Sequence, residues 1–358
     1  MSLRLTILGV GLIGGSIGLA ARERGLAEVT GYVRNPDKAE ECLRLGAVDH
    51  IADSIEAASA EADVVICCAS VGSLAGMAKA ALDAAGPDCV VTDVGSTKQE
   101  LVEAMGGDER FIGGHPLAGA ETAGVANARS DLYEGARWYL TPSANASGVL
   151  YDRLQRLVKD LGAKPMAIEA AEHDGAMAAV SHLPHVFANQ LAAQGRPATE
   201  RLGGLAPSLR DATRVAGANP GIWGEIFATN HLAVAAAIRE SIVGLEFAAE
   251  LIESADAERI AKWQTTAAAD RAGLSSSETE GEATHQLRVL VPNRPGILAE
   301  LALALGKAGV NITDMSLDPT PDMSSGAISL WVAGEDEAEK AVECIAGQGH
   351  SVSLVGEE

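Results

Sequence analysis

Two short stretches of the 358-residue chain carry residue types suited to chemistry rather than packing. The first is GGHPLAG at 113–119, where His115 stands against Pro116 with glycines on both sides. An imidazole titrates near neutral pH, so a histidine fixed in such a run suits general-base work; its structural use would be to cap a turn. The second is GVGLIGGS at 9–16, which spaces Gly9, Gly11 and Gly14 as G-x-G-x-x-G. Gly9 permits a tight turn, Gly11 lets backbone approach a pyrophosphate, and Gly14 lets helix and strand pack closely. The amides that open the helix, those of Leu12 and Ile13 among them, would hold the diphosphate with help from the helix dipole. Because such glycine turns also occur without a ligand, the setting decides.

The setting is a strand followed by a helix. LRLTILGV at 3–10 is apolar and β-rich, SIGLAARERG at 16–25 has a helical pattern, and VTGYV at 29–33 is strand-like again. Short apolar runs continue through ADVVICCAS, DCVVTDVGS, RFIGGHP, ARWYLTP and KPMAIEA. This alternation predicts βαβ units around a mostly parallel sheet, an α/β fold of Rossmann type over residues 1–169. His115 follows the strand RFIG, which places it near the C-terminal edge of that sheet, where a dinucleotide's reactive ring reaches. Residues 170–272 change to an Ala-rich helical texture, predicting an all-α domain. GLSSSETEGEAT at 273–284 has the composition of a linker. Residues 285–358 read strand, helix, strand, strand, helix, strand, the ferredoxin-like βαββαβ order.

Charge and composition narrow the partners. With 49 acidic against 27 basic residues the net charge is −22, which repels nucleic acid and anionic membranes. A small anionic substrate would need a local cationic pocket. No run is long and apolar enough to span a bilayer, and the N-terminal apolar run lacks a signal-peptide pattern. The five cysteines are odd in number and show no C-x-x-C spacing, as expected of a reduced, cytoplasmic chain without disulfides or a cysteine-bound metal.

The ribose end of the cofactor site departs from the usual acid. Where an NAD site ends its second strand in Asp or Glu, this chain reads GYVRNPDK, with Val33 near that position and Arg34 after it. An arginine there can pair with a 2′-phosphate, which tips the expectation from NAD towards NADP. Stacking on the adenine or facing solvent are its other uses.

SHLPH at 181–185, RDATR at 210–214 and NPGIW at 219–223 extend the pattern. Together with GVGLIGGS, DVGSTK at 93–98 and GGHPLAGAETAG at 113–124, their order resembles the prephenate/arogenate dehydrogenase family over nearly the whole chain. That family oxidises the ring alcohol of prephenate or arogenate with NAD(P)+ and releases the ring carboxylate as CO2. The resemblance implies that His115 is the base taking the hydroxyl proton, its glycines leaving room for substrate and cofactor. Ser96 would orient it, and as a residue after a strand would also suit a helix N-cap. Arg214 would bind a substrate carboxylate through its fork of donors, with Arg210 and Asp211 as a charged pair beside it. His182 and His185 match the family's paired histidines, His185 facing the substrate side chain. Their spacing also allows metal ligation, but the run supplies no carboxylate or thiolate and the family uses no metal. Glu121 matches an acid at the pocket mouth.

Two departures stand out: CASVGS at 68–73 lacks the family's Thr-Pro-Val, and HPLAG replaces HPMAG, a change that conserves volume. The tail VPNRPGILAELALAL resembles an ACT domain, an amino-acid-sensing module. Asn293 and Gly296 match its ligand-contacting positions, with tyrosine as the expected effector and dimer support as the module's other use. The expected protein is a homodimeric, NAD(P)-dependent prephenate dehydrogenase. Arogenate as substrate and a catalytically inert amino-acid sensor are the alternatives. A β-hydroxyacid dehydrogenase would carry a catalytic lysine motif that the helical region lacks.

Overall fold

The computed structural model describes residues 3–119, 122–276, 284–320 and 325–355. The chain divides into two compact units, Met1–Leu245 and Glu246–Glu358.

The first unit begins with β1 (Leu3–Leu8), α1 (Leu12–Glu23), β2 (Ala27–Tyr32), α2 (Ala39–Arg44), β3 (His50–Ile51), α3 (Ile55–Ser59), β4 (Val64–Cys67), α4 (Val71–Ala84) and β5 (Val90–Asp93). The strands form one parallel sheet in the order β3-β2-β1-β4-β5. Alternation within β4 explains why it reads as a continuous apolar run. Val64 and Ile66 enter one core cluster while Val65 and Cys67 enter another, because successive strand side chains point to opposite faces.

After α5 (Gln99–Ala104) come β6 (Ile112–Pro116), β7 (Arg137–Pro142), α6 (Gly148–Asp160) and β8 (Lys164–Ala167). Here the structure departs from a single, mostly parallel sheet. These strands make a second sheet, β6-β7-β8, in which β6 runs antiparallel to β7. Between the two sheets the ladder is reduced to one parallel bridge, Val91 with Phe111. α6 covers the core with Leu150, Leu154, Leu157 and Val158, the i, i+4, i+7, i+8 stripe of an amphipathic helix.

The remainder of this unit is helical: α7 (Ala170–Met177), a π-helical segment (Ala178–His182), α8 (Leu183–Leu202), α9 (Pro207–Ala212), α10 (Pro220–Thr229) and most of α11 (His231–Glu253), which crosses the division.

The second unit continues with α12 (Ala257–Ser276). Residues 273–276 of the expected linker complete this helix, since no proline stops the Ala-rich run before them. Thr284, at the linker's other end, opens a strand, and residues 277–283 lie outside the described residues. Then follow β9 (Thr284–Pro292), α13 (Ile297–Lys307), β10 (Ile312–Pro319), β11 (Ser325–Ala333), α14 (Glu335–Gly347) and β12 (Ser351–Val355). Their antiparallel sheet has the order β10-β11-β9-β12, the ferredoxin-like arrangement. Gly296 starts α13 at φ +87°, a left-handed conformation suited to glycine. Among the described residues no helix is long and apolar enough to cross a membrane.

Candidate active site

The glycine loop between β1 and α1 has the shape its spacing requires. Gly9 adopts φ +102°, and a Cβ there would collide with the carbonyl of Cys68; one at Gly14 would collide with the carbonyl of Gly9. The space a Cβ would take at Gly11 is open. Gly11 is also the N-cap of α1 and offers no side chain to the first-turn amides, which by helix geometry lack intrahelical acceptors. The Tyr133 hydroxyl donates to the Ile13 carbonyl at 2.7 Å, and Ser16 Oγ accepts from the Arg129 backbone at 3.0 Å. These contacts brace a cradle that fits the diphosphate of a dinucleotide. Arg34 is exposed just beyond β2.

His115 lies half-buried at the C-terminal end of β6, opposite Tyr139 of β7. The glycines before it do not open a cavity, contrary to the expectation that they leave room for ligands. A Cβ at Gly113 would strike Thr141 Oγ1, and one at Gly114 would lie 2.5 Å from the Asp93 carbonyl oxygen. They let β6 pack tightly against its neighbours, and that packing holds the histidine.

A buried ion pair lies behind the strand. Asp93 Oδ2 accepts from Lys98 Nζ and, at 2.7 Å, from Gly95 N, while Oδ1 accepts from Gly114 N at 3.0 Å. Both charged side chains are fully buried, and such charges are tolerated only when paired and hydrogen-bonded. Burial lowers the Lys98 pKa, opposed by the Asp93 charge.

The helical half supplies His173 and Asp174 of α7, which the sequence reading missed. His173 Nε2 meets His115 Nδ1 at 2.9 Å, and its Nδ1 meets Asp174 Oδ1 at 2.8 Å. The Asp174 carboxylate also accepts the backbone amides of Lys98 at 2.8 Å and Gln99 at 2.9 Å. It thereby satisfies the start of α5, whose N-cap residue is Lys98. Ser96 therefore does not cap this helix, because a carboxylate from a distant segment takes the amides. Ser96 is half-buried in the β5–α5 connection.

His182 is buried, and its Nδ1 accepts from Asn230 Nδ2 at 3.1 Å. The same amide group donates to the Asp174 carbonyl at 2.8 Å. His182 meets Trp223 edge-on with centroids 6.0 Å apart, whereas His185 stacks on that indole at 3.3 Å. Trp223 is held by α10, whose N-cap Asn219 accepts from Gly221 N at 2.9 Å. Three imidazoles are thus held towards the neutral form. Burial, then Lys98, His173 and His182, push the His115 pKa well below its usual 6.5. Burial takes His182 down to about 4. His185 is lowered by burial and by the charge of Arg214, which puts Arg214 within electrostatic reach of that ring.

Arg210 and Asp211 are exposed on α9, and no ion pair joins them among the described residues. Consecutive helical residues point about 100° apart and do not face each other. The expected Glu121 contribution lies outside the described residues. Of the missed groups, Asp93 and Lys98 belong to the DVGSTK motif and Trp223 to NPGIW, so the motif boundaries signalled them. His173 and Asp174 carried only the signal of an adjacent acid and histidine in a helical run.

Residues 17–167 match the family model described as prephenate dehydrogenase, nucleotide-binding domain, and 169–266 match that of the prephenate dehydrogenase dimerization domain. Residues 285–346 match the ACT domain. The chain is 30% identical over 354 residues to the prephenate dehydrogenase of Bacillus subtilis (strain 168), covering 95% of each protein. It is 30% identical over 266 residues to the cyclohexadienyl dehydrogenase of Zymomonas mobilis, covering 70% of this chain and 89% of that one. The crystal structure of A. aeolicus prephenate dehydrogenase in complex with hydroxyphenyl propionate and NAD+ aligns with a TM-score of 0.71 at 30% identity. The alignment covers 76% of this chain and 99% of that one. The segment bearing His115 falls in the first match and that bearing His173, Asp174 and Arg214 in the second, and with the full-length likeness this means that the chain belongs to the prephenate dehydrogenase family.

Proposed function

We propose that the protein oxidises prephenate with NAD(P)+ to 4-hydroxyphenylpyruvate and CO2, with His115 as general base. The observation that carries the reading is His115 itself. It is an imidazole held neutral at a strand end, one ring nitrogen engaged by His173 and the other left for a substrate hydroxyl. Gly9, Gly11, Gly14 and the amides of Leu12 and Ile13 would hold the cofactor, which when bound accepts the electrons of the carbinol C–H bond. His115 takes the hydroxyl proton. The ring carbonyl that forms then accepts the electron pair released as the carboxylate leaves as CO2, and aromatisation drives the step forward.

Arg214 would bind a substrate carboxylate by paired donors, and His185, backed by Trp223, would face the substrate side chain. Ser96 would hydrogen-bond near the reacting hydroxyl and help to orient His115, with Arg210 and Asp211 beside Arg214. Arg34 favours NADP over NAD through its reach to a 2′-phosphate. The chain would act as a homodimer through its second matched segment, where Leu191 of α8 and Ile242 and Val243 of α11 are exposed. Asn293 and Gly296 would take tyrosine as effector. The deciding experiment follows the reduced nicotinamide absorbance with prephenate and arogenate, each with NAD+ and NADP+. Turnover of arogenate alone would replace the substrate assignment, and turnover of neither would overturn the reading.

A further inference from the structure

We infer that His173 and Asp174 are positioning residues that select the ring tautomer of His115, placing its hydrogen on Nδ1 and its lone pair on Nε2. The inference deepens the reading of His115 as the base and rests on it for its catalytic meaning.

One line of hydrogen bonds joins Asp174 to His115 through His173. Asp174 cannot turn away, because Oδ1 accepts the Lys98 amide at 2.8 Å, Oδ2 the Gln99 amide at 2.9 Å, and its carbonyl the Asn230 side chain at 2.8 Å. With both oxygens receiving backbone N–H groups, the carboxylate meets His173 Nδ1 as an acceptor at 2.8 Å. His173 Nδ1 therefore carries hydrogen, and a neutral ring so protonated has its lone pair on Nε2. That nitrogen is 2.9 Å from His115 Nδ1, so His115 must be the donor there. The lone pair of His115 is left on Nε2.

His173 is fully buried, and Tyr139 meets its ring edge-on at 5.6 Å. Among the described residues, the charged and titratable groups around the two rings include Lys98 with Asp93, Asp174, His182 and Tyr139. Lys98 brings a cation near His115 and helps to lower the pKa of that ring. When Nε2 of His115 takes a proton, its Nδ1–H stays on His173 and nothing need rearrange. Asp174 thus acts two hydrogen bonds away from the reacting nitrogen, and it also joins α7 to the start of α5.

The test uses the full-length protein labelled with 15N-histidine. Two-bond 1H–15N spectra distinguish the two neutral tautomers, and the His115 signals are those lost in His115→Gln. Near neutral pH the wild type should show His115 and His173 protonated at Nδ1 and bare at Nε2. Asp174→Ala removes the carboxylate oxygen that accepts from His173 Nδ1, so the His173 ring is free to take the other tautomer. This variant should move His115 towards the Nε2–H form and lower kcat by ~10²–10⁴ with little change in KM, the effect expected of a wrong tautomer. His173→Gln keeps an acceptor near the Nε2 position and should retain at least ~10-fold more kcat than His173→Leu. A wild-type spectrum with His115 protonated at Nε2 overturns the inference, as does a folded Asp174→Ala protein with unchanged tautomer and kcat. If Asp174→Ala fails to fold, the wild-type spectrum and the His173 pair decide. Should His115→Gln turn over normally, the base reading fails separately, since the spectrum reports the tautomer whatever the kinetics.

Discussion

The indole of Trp223 and the imidazole of His185 lie face to face, ring centroids 3.3 Å apart and planes inclined by 24°. The stack fixes His185 beside Arg214, whose charge helps to keep the ring neutral. A neutral imidazole can offer hydrogen bonds to the substrate side chain, with Arg214 as the proposed partner of a substrate carboxylate. His185→Asn should therefore raise KM by ~10-fold or more through loss of a hydrogen bond to the substrate. Trp223→Leu should raise it by ~2–10-fold, the range of one aromatic contact. In both, kcat should change less than KM in steady-state assays; the reverse split would move this pair into the chemical step.

For the base, His115→Asn should lower kcat by ~10²–10⁴ while prephenate affinity, read by equilibrium binding, changes little. A variant with near wild-type kcat removes His115 from the mechanism.

The pH dependence follows from the direction of the His115 shift. Burial and the Lys98 charge disfavour its protonated form and put its pKa well below 6.5. Since only the neutral ring accepts a proton, activity should be present above that pKa and lost as pH falls through it. The kcat/KM profile, which reports the free enzyme, should stay flat through pH 6.5 and bend down only in more acid solution. An acid limb centred at 6.5 or above would mean that the titrating group is not this histidine.

Arg214→Ala should raise KM for prephenate by ~10-fold or more, the scale of a lost charge-assisted pair. Arg214→Lys should recover only part of this, since an ammonium lacks the two-toothed geometry. Equal KM values in wild type and both variants would place the substrate carboxylate elsewhere.

At the cofactor end, Arg34→Ala should weaken NADP+ far more than NAD+, measured as the ratio of their Kd values. Equal losses would assign Arg34 to stacking and end the preference for NADP.

Regulation is tested in the full chain. Asn293→Ala should leave kcat near wild type and abolish inhibition by tyrosine, with a coupling of ~1–3 kcal/mol as the expected size of the lost effect. Tyrosine that still inhibits this variant competitively with prephenate would be occupying the active site instead.

Local features of this protein were legible without coordinates. Gly9 and Gly14 are needed where backbone meets backbone, and the apolar runs of β1, β2 and β4 to β8 and the βαββαβ tail follow from patterns over a few residues, whereas the two-residue β3 is too short to show one. His115 at a strand end was legible for the same reason. The amino-acid order alone did not reveal which distant groups would meet. His115 and His173 are 58 residues apart in the chain, and Asp174 reaches the Lys98 amide across 76. The pull is the need to satisfy groups once buried: the amides opening α5 require an acceptor, and a buried carboxylate requires donors. The same need explains why Ser96, a good cap by type, is not the cap, and why Gly113 and Gly114 serve close packing rather than an opening. Periodicity decided the elements; tertiary packing decided their polar partners, because a hydrogen bond between distant segments depends on where the fold brings donor and acceptor together.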